Sequence, residues 1–379
     1  MSARPDARYD RQTRLPEVGA AGQARLGAAT VLVVGVGGLG TPVATYLAAA
    51  GVGRVVLVDG DTVDLSNLHR QPLFTGFDAG RPKVEVAAAR LAALNPHVTI
   101  ETHAARFDAD NAARLVAEAD VVVDGTDTFA TRYLVNDACV LGHTPNVFAS
   151  ISRYSGQASV FAATLADGRR GPCYRCVFPK PPPAGTVPSC AEGGVLGVLP
   201  ALLGTIQATE VLKLILGLGE PLVGRLLLAD ALSMAFRTVS VERDPACPVC
   251  GDHPSVRSLT DSAAACGPDM ASVPEMTVSD LKALRDAGNG PFVLDVREPD
   301  EYAAANIGGV LIPLGELPAR LAELDAHRDD DVIVVHCRSG ARSAQAVEAL
   351  HGAGFTNAVN LKGGIHAWSD EIDSSLPKP

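Results

Sequence analysis

The sequence has no excess of positive charge. Lys and Arg number 32 against 43 Asp and Glu, a net of −11. No basic face is expected, and nucleic-acid binding is excluded as the main task, because phosphate contacts need one. The acid is uneven: residues 277–379 alone carry a net of −7. An apolar h-region is missing from the opening MSARPDARYDRQTRLPEV. No secretory leader is expected, and a cytoplasmic setting is. Long unbroken apolar runs are missing too. The longest, around GGVLGVLPALLGTIQ, is interrupted by Pro200 and ends in polar residues. It reads as too short to span a bilayer, so no membrane partner is expected. Internal repeats are absent, and the only biased tract is a short stiff PKPPPAG loop. In a reducing compartment the eight cysteines are not expected to pair as disulfides. Metal binding and catalysis are left as their uses.

What is present points to at least two globular domains. A chain of 379 residues is too long for one ordinary core, and 47% hydrophobic with 20% charged residues is a globular composition. ATVLVVGVGGLGTPVATYLAAAGVGRVVLVDGD reads as strand, glycine turn, helix, strand, the opening of a doubly wound, mostly parallel α/β sheet of Rossmann-like type. Strands are expected at VTIETHA, DVVVDGTD, NVFASIS, RLLLADA and FRTVSVE. Helices are expected at KVEVAAARLAAL, ADNAARLVAEA and the stretch leading to TEVLKLI. Residues 254–276, rich in Ser, Ala, Pro, Gly and Asp and without period, read as a linker between a first domain over 1–253 and a second over 277–379. The second is a small α/β unit, with strands at FVLDVRE, VIVVHC and NAVNLKGG and helices at TVSDLKALRDAG and ARSAQAVEALHGAG.

Gly35, Gly37 and Gly40 form G-x-G-x-x-G between the first strand and its helix. Glycine lets the backbone approach a phosphate, and the helix N-terminus favours the negative charge. Asp59 closes the next strand, where a carboxylate can hold a ribose hydroxyl. The turn alone fits an NAD-dependent dehydrogenase as well as anything else. The residues after it shift the balance. DGDTVDLSNLHRQPLF supplies Asp61 and other acids, then Asn67 and Arg70; Lys83 follows, DGTDT places Asp127 at the end of another strand, and RYDRQ adds Arg8 and Arg11. Hydride transfer has little use for so many cations. An attacked triphosphate needs them, and a carboxylate to hold Mg²⁺.

Cys173 and Cys176 in CYRC, with Cys247 and Cys250 in CPVC, make a four-thiolate tetrahedral Zn²⁺ site with no position left for water, a structural staple across 70 residues. Cys190, in the polar TVPSCAEGG crossover, reads as an accessible thiol; Cys139 reads as core and Cys266 as incidental. Cys337 is different. It sits where a strand turns into a helix, and Arg338, Ser339, Gly340, Ala341 and Arg342 follow it. N–H groups of this loop, the helix dipole and the arginines are expected to stabilise a thiolate and hold an anion. The Cys-x4-Arg ring is one residue shorter than the phosphate-sized Cys-x5-Arg ring, which suits a sulfane sulfur carried as a persulfide.

With these motifs in view, residues 8–251 resemble the adenylyltransferases that activate ubiquitin-like sulfur carriers, relatives of ubiquitin-activating enzyme that include the molybdopterin-synthase adenylyltransferases. The matching stretches are RYDRQ, VGVGGLG, SNLHRQ, KVEVA, DGTDT, GPCYRC and CPVCG. Residues 277–379 resemble a rhodanese domain through VLDVREPDEY, VIVVHCRSGARS and LKGGIHAW. The resemblance implies that Gly38 and Asp59 contact the nucleotide. It implies that Ser66, Asn67, Leu68, His69 and Arg70 line the phosphates, Arg70 nearest the scissile bond. Lys83 would bind phosphate, Asp127 would position Mg²⁺, and Thr128 would adjoin it where Asn is usual. Arg11 would reach across from a partner subunit, which implies a homodimer. Cys190 falls where some members link transiently to the carrier, and Cys337 matches the persulfide cysteine. One departure stands out. ANIGGVLIP replaces the usual His-Ile-Pro-Gly-Ala, so Asn306 and Gly308 are expected to change loop rigidity and not chemistry.

The function expected is ATP-dependent adenylylation of the C-terminal glycine of a ubiquitin-like carrier ending in Gly-Gly. Sulfur then arrives from the Cys337 persulfide, loaded by thiosulfate or a cysteine desulfurase. The alternatives are a nucleotide-sensing module with a non-catalytic rhodanese fold, and an NAD-dependent dehydrogenase.

Overall fold

ATVLVV becomes β1 (Thr30–Val34), and four of its five residues are buried because strands flank it on both sides. Parallel β2 (Arg54–Val58) lies on one side and parallel β4 (Val121–Asp124) on the other. The computed structural model describes residues 5–164, 167–182, 194–259, 273–328 and 330–377. The described residues fall into two compact units, those up to 181 with 194–259 in the first and those from 273 in the second.

Among the described residues of the first unit, eight strands form one sheet in the order β3-β2-β1-β4-β5-β6-β7-β8. β3 (Thr99–His103) through β5 (Asn146–Ser152) run parallel. β6 (Ser155–Phe161), β7 (Arg225–Asp230) and β8 (Ala235–Ser240) continue it antiparallel. β1 was placed first in the chain but lies inside the sheet, so the strand order reverses beside it. Crevices at the carboxyl ends of strands open at such a reversal. The expected helices form at Gly40–Ala50, Lys83–Leu94 and Ala109–Ala117. The last starts at Asp108, whose carboxylate accepts the N–H groups of Asp110 and Asn111.

The longest apolar run behaves differently from its reading. Pro200 does not break it. Proline fits the first turn of a helix, where its missing N–H is not needed, and Leu199–Leu216 is one 18-residue helix. It is long and apolar enough to cross a membrane by length and composition. Here half of it is buried, and it packs on β4, β5 and β6 and on the helix Gly40–Ala50.

In the second unit, the described strands are all parallel, in the order β11-β10-β12-β13-β9. They are β9 (Glu275–Met276), β10 (Phe292–Asp295), β11 (Val310–Leu311), β12 (Ile333–His336) and β13 (Ala358–Leu361). Both ends of the stretch read as a linker join the units. Val256 packs among the paired cysteines, while Val273 and β9 belong to the second core and sheet.

The helix Phe129–Gly142 carries a fully buried carboxylate, Asp137. Arg175, the arginine inside CYRC, forks onto it with bonds of 2.7–3.1 Å and lies over the Tyr133 ring. Removing one partner of such a pair leaves an uncompensated buried charge. Asp137→Ala is therefore expected to destabilise the first unit by about 3–5 kcal/mol. Urea unfolding followed by circular dichroism measures it; a loss under 1 kcal/mol would contradict this account.

Candidate active site

The glycine turn is built by close backbone approach. Gly35 has φ +86°, and a side chain there would meet the Gly125 carbonyl at 2.9 Å. A Cβ on Gly40 would run into the carbonyl oxygen of Gly35, and one on Gly38 would lie 2.9 Å from Pro200. Gly37 faces more open space, with the Gln71 amide nitrogen 3.6 Å from its would-be Cβ. Asp59 holds the turn from the neighbouring strand. Its carboxylate accepts the N–H of Val36 at 2.7 Å and of Asp61 at 2.8 Å. Burial pushes its pKa above the ordinary value; the Lys83 charge and these two bonds act against that.

Lys83, at the start of its helix, is buried up to its ammonium, which lies 2.9 Å from the exposed Asp61 carboxylate. The segment Ser66 to Arg70 is one short turn. Asp64 accepts the Ser66 N–H at 2.7 Å, and the Ser66 hydroxyl first, then this N–H, lower the Asp64 pKa. Asn67 Nδ2 donates to Ser66 Oγ, and Arg70 Nη1 donates to the Ser66 carbonyl and lies 2.9 Å from His69 Nε2. Leu68 packs against the core and fixes this turn to it. Across the switch point β4 ends at Asp124, so Asp127 lies three residues beyond the strand and is exposed. Thr128 caps the next helix, its hydroxyl accepting the Thr131 N–H at 3.4 Å and donating to Thr131 Oγ1 at 2.7 Å.

The motif reading passed over Asp124. It is fully buried, and one oxygen accepts both the N–H and the hydroxyl of Thr126, at 3.0 and 2.6 Å. Burial raises its pKa against the opposing charge of Arg132. It stands two residues before Thr126 in DGTDT, an Asp-x-Thr spacing that signals such a turn.

Arg11 stands apart from these residues. Its arm is tied down by Gln12, which donates to the Ala50 carbonyl at 3.2 Å, and by Tyr9, whose hydroxyl accepts from Asn95 at 2.8 Å and crowds Gly51. Those contacts are at the C-terminal end of the helix Gly40–Ala50. Eleven residues span roughly 16 Å, so the arm is that far from the glycine turn of its own chain. Arg11 is exposed there. Cys190 and Cys266 lie outside the described residues.

Cys173, Cys176, Cys247 and Cys250 converge. Their sulfurs lie within 4.8 Å of one another, with separations of 3.6, 3.8 and 3.3 Å around the group. A tetrahedron with 2.3 Å Zn–S bonds has edges of about 3.8 Å, so the four residues fit a zinc ion. Cys176 is held down to about 7 by the neighbouring Cys173, and it accepts the Asp244 N–H at 3.4 Å. Zinc bound by these four thiolates would tie the segment after β6 to the tail of β8.

In the second unit Cys337 follows β12 and its helix runs Ala341–Gly352, entered through Gly340 at φ +96°. The residue is only 1% exposed and packs into the second unit's apolar core, with polar groups on one side of its sulfur. The Gly340 N–H donates to it at 3.2 Å, and Ser343 Oγ lies 3.3 Å away. Its own carbonyl accepts the Ile365 N–H at 2.9 Å, and Arg338's accepts that of His366 at 3.1 Å. Arg338 and Ser339 are exposed; Arg338 Nε is 3.2 Å from His366 Nε2. Arg342 sends both Nη atoms to Glu301 at 2.7 Å, so that charge is bound within the protein. Gly308, where proline was usual, has φ +78°, a value the proline ring forbids. The loop therefore takes a path the usual residue could not.

Behind the cysteine is a buried charge group: Arg297 forks onto Asp295 at 2.6–3.0 Å, and His336 Nε2 is 3.4 Å from the same carboxylate. Burial outweighs that carboxylate and pushes His336 down to about 4.

Two measurements follow. Cys247→Ser should reduce bound zinc from one ion per chain to none by elemental analysis, and a chelator should lower the first unit's melting temperature in the parent protein only. Second, His336 binds its proton near pH 4 folded but near 6.5 unfolded. Between those values the unfolded chain holds the extra proton, so second-unit stability falls as pH drops from 7 to 4. The loss is roughly 3 kcal/mol. Trp368, the single tryptophan, lies in that unit and reports it by fluorescence. His336→Phe should remove most of this dependence; an unchanged slope would assign it elsewhere.

Comparison with known proteins agrees with this architecture. The model of the ThiF family matches residues 9–249, and that of the rhodanese-like domain matches 277–371. The sulfur carrier protein adenylyltransferase of Thermus thermophilus is 56% identical over 260 residues, 69% of this chain and 96% of that protein. The probable adenylyltransferase/sulfurtransferase MoeZ of Mycobacterium tuberculosis is 43% identical and covers 99% of this chain and 96% of its own length. The adenylyltransferase and sulfurtransferase MOCS3 of Sus scrofa is 44% identical over 98% of this chain and 87% of its own. Among solved structures, Escherichia coli MccB with a MccA peptide superposes with TM-score 0.57 at 24% identity, over 66% of this chain and 76% of that one, a likeness of fold. The chain belongs to the ThiF family, and it carries a rhodanese-like domain after the ThiF portion.

Proposed function

We propose that this enzyme is an adenylyltransferase and sulfurtransferase that converts a carrier's C-terminal glycine carboxylate into a thiocarboxylate. One observation carries the proposal. A phosphate-approach turn at a strand-order reversal and a hydrogen-bonded cysteine at a strand-to-helix turn occur on one chain. Relatives spanning nearly the whole chain bear both activity names. The dehydrogenase alternative has no such support.

In the first reaction the glycine carboxylate of a ubiquitin-like sulfur carrier attacks the α-phosphate of ATP, and pyrophosphate leaves. Gly35, Gly37, Gly38 and Gly40 admit the phosphates, Asp59 orients the ribose, and Arg70 and Lys83 offset charge at the reacting phosphate. Asp127, an exposed carboxylate beside the turn, suits Mg²⁺, which would neutralise the leaving pyrophosphate. Arg11 completes the site of the other subunit in a homodimer, since its own turn is too far away. In the second reaction sulfur carried on Cys337 replaces AMP at the activated carbonyl, with Cys190 as the candidate for a transient acyl-disulfide. Thiosulfate or a cysteine desulfurase loads Cys337, and the reactions take place in the cytoplasm. Holding both reagents on one chain raises the effective concentration of the second.

Arg70→Ala should reduce carrier-dependent ATP–pyrophosphate exchange by about 10³-fold and spare thiosulfate:cyanide sulfur transfer, while Cys337→Ala should do the reverse. Mixing unfolded and co-refolded Arg70→Ala and Arg11→Ala chains should restore exchange, because a mixed dimer holds one intact site. Failure of the mixture, with each variant folded and dimeric, would place Arg11 outside the active site.

A further inference from the structure

The hydroxyl of Ser343 has one proton and two acceptors. Its oxygen lies 2.7 Å from Asn360 Oδ1 and 3.3 Å from Cys337 Sγ. Ser343 is completely buried and Asn360 nearly so, so no solvent competes. The amide's orientation is set from outside. Asn360 Nδ2 donates to Glu275 Oε1 at 3.3 Å. A carboxylate can only accept, so the amide nitrogen must face Glu275 and the oxygen must face Ser343. Glu275 is itself placed by β9 pairing with β13 and by Lys362 at 3.5 Å. A thiol sulfur is a weak acceptor and an amide oxygen a good one, so in the resting site Ser343 donates to Asn360, and a lone pair of its oxygen is turned to the sulfur.

We propose that Asn360, aligned by Glu275, competes with the Cys337 sulfur for the hydroxyl proton of Ser343 and thereby sets how readily that sulfur acts as an anion. In this arrangement Asn360 and Glu275 are positioning residues that act through Ser343. As a thiol, Cys337 meets a lone pair and donates to it. As a thiolate, it meets that same lone pair unless the serine hydroxyl swings away from Asn360. The amide therefore restrains the resting sulfur, and the restraint ends when the proton turns. The other charged groups around the loop are engaged elsewhere. Arg297 is on Asp295 and Arg342 is on Glu301, Arg338 lies beside His366, and His336 is kept neutral by burial. With those charges fixed, the Ser343 proton is the element free to change its partner.

The proposal rests on the sulfurtransferase reading, and its test separates the two. Cys337 thiolate attacks the outer sulfur of thiosulfate; an S–S bond forms at Cys337, the S–S bond of thiosulfate breaks, and sulfite leaves with the electron pair. Sulfite release by the full-length protein at pH 7, with persulfide on the Cys337 peptide confirmed by mass, gives the loading rate. Asn360→Leu frees the proton for the sulfur and should speed loading about fivefold. Asn360→Asp holds the proton harder and should slow it about fivefold, as should Ser343→Ala, each change being on the scale of one ordinary hydrogen bond. The gain of Asn360→Leu should vanish in a Ser343→Ala background. Packing damage at Asn360 would slow both of its variants. If Asn360→Leu and Asn360→Asp shift in the same direction, or if the gain survives without Ser343, the relay is wrong. If the parent protein neither releases sulfite from thiosulfate nor gains a persulfide on Cys337 from a cysteine desulfurase, the sulfurtransferase reading itself fails.

Discussion

Both units depend on the same physical constraint: at a strand-to-helix turn, two pieces of backbone come closer than any side chain permits. In the first unit Gly40 lies against the Gly35 carbonyl, which brings the helix N-terminus up to the end of β1. In the second, a Cβ on Gly364 would run into the Cys337 carbonyl, and the neighbouring N–H groups of Ile365 and His366 tie that loop down. The first contact sets a helix N-terminus, a place suited to phosphate oxygens, at the end of its strand, and the second fixes the loop that carries the cysteine sulfur. The conformational cost of glycine is accepted at these points because no other residue fits.

Fixed charges then do most of the orienting. Asp59 accepts the Val36 N–H and so belongs to the turn's structure. Asp137 with Arg175 joins the cysteine knuckle to a helix of the first core, and Asp295 with Arg297 stiffens the strand next to Cys337. Such pairs contribute little net stability over apolar packing. Breaking one is costly, and each therefore specifies a single arrangement of its neighbours. This explains why arginines close to both sites, Arg175, Arg297 and Arg342, are not available to ligands. Arg11 and Arg338 are exposed, and Arg70 is half-buried.

Much of the architecture was legible because its signals are local. Period-2 and period-3.6 patterns gave the strands and helices of both units, and KVEVAAARLAAL matches its helix, Lys83–Leu94, residue for residue. The two C-x-x-C pairs were legible since a tetrahedral ion accepts few other spacings. Pro200 was misread as an interruption, since the same residue ends a helix or begins one, and the choice depends on what precedes it. Arg342 was read as an anion ligand from its place in the loop, but its partner Glu301 lies 41 residues earlier.

The sequence by itself determined the family and the two units, and it named the candidate residues for the chemistry. Those follow from composition, spacing and steric demands within a few residues. Only tertiary structure decided which charges remain free, how Asn360 is turned, and that Arg11 sits a helix length from its own glycine turn. Each depends on contacts between segments far apart in the chain, and the pairing of distant side chains leaves no periodic or compositional trace.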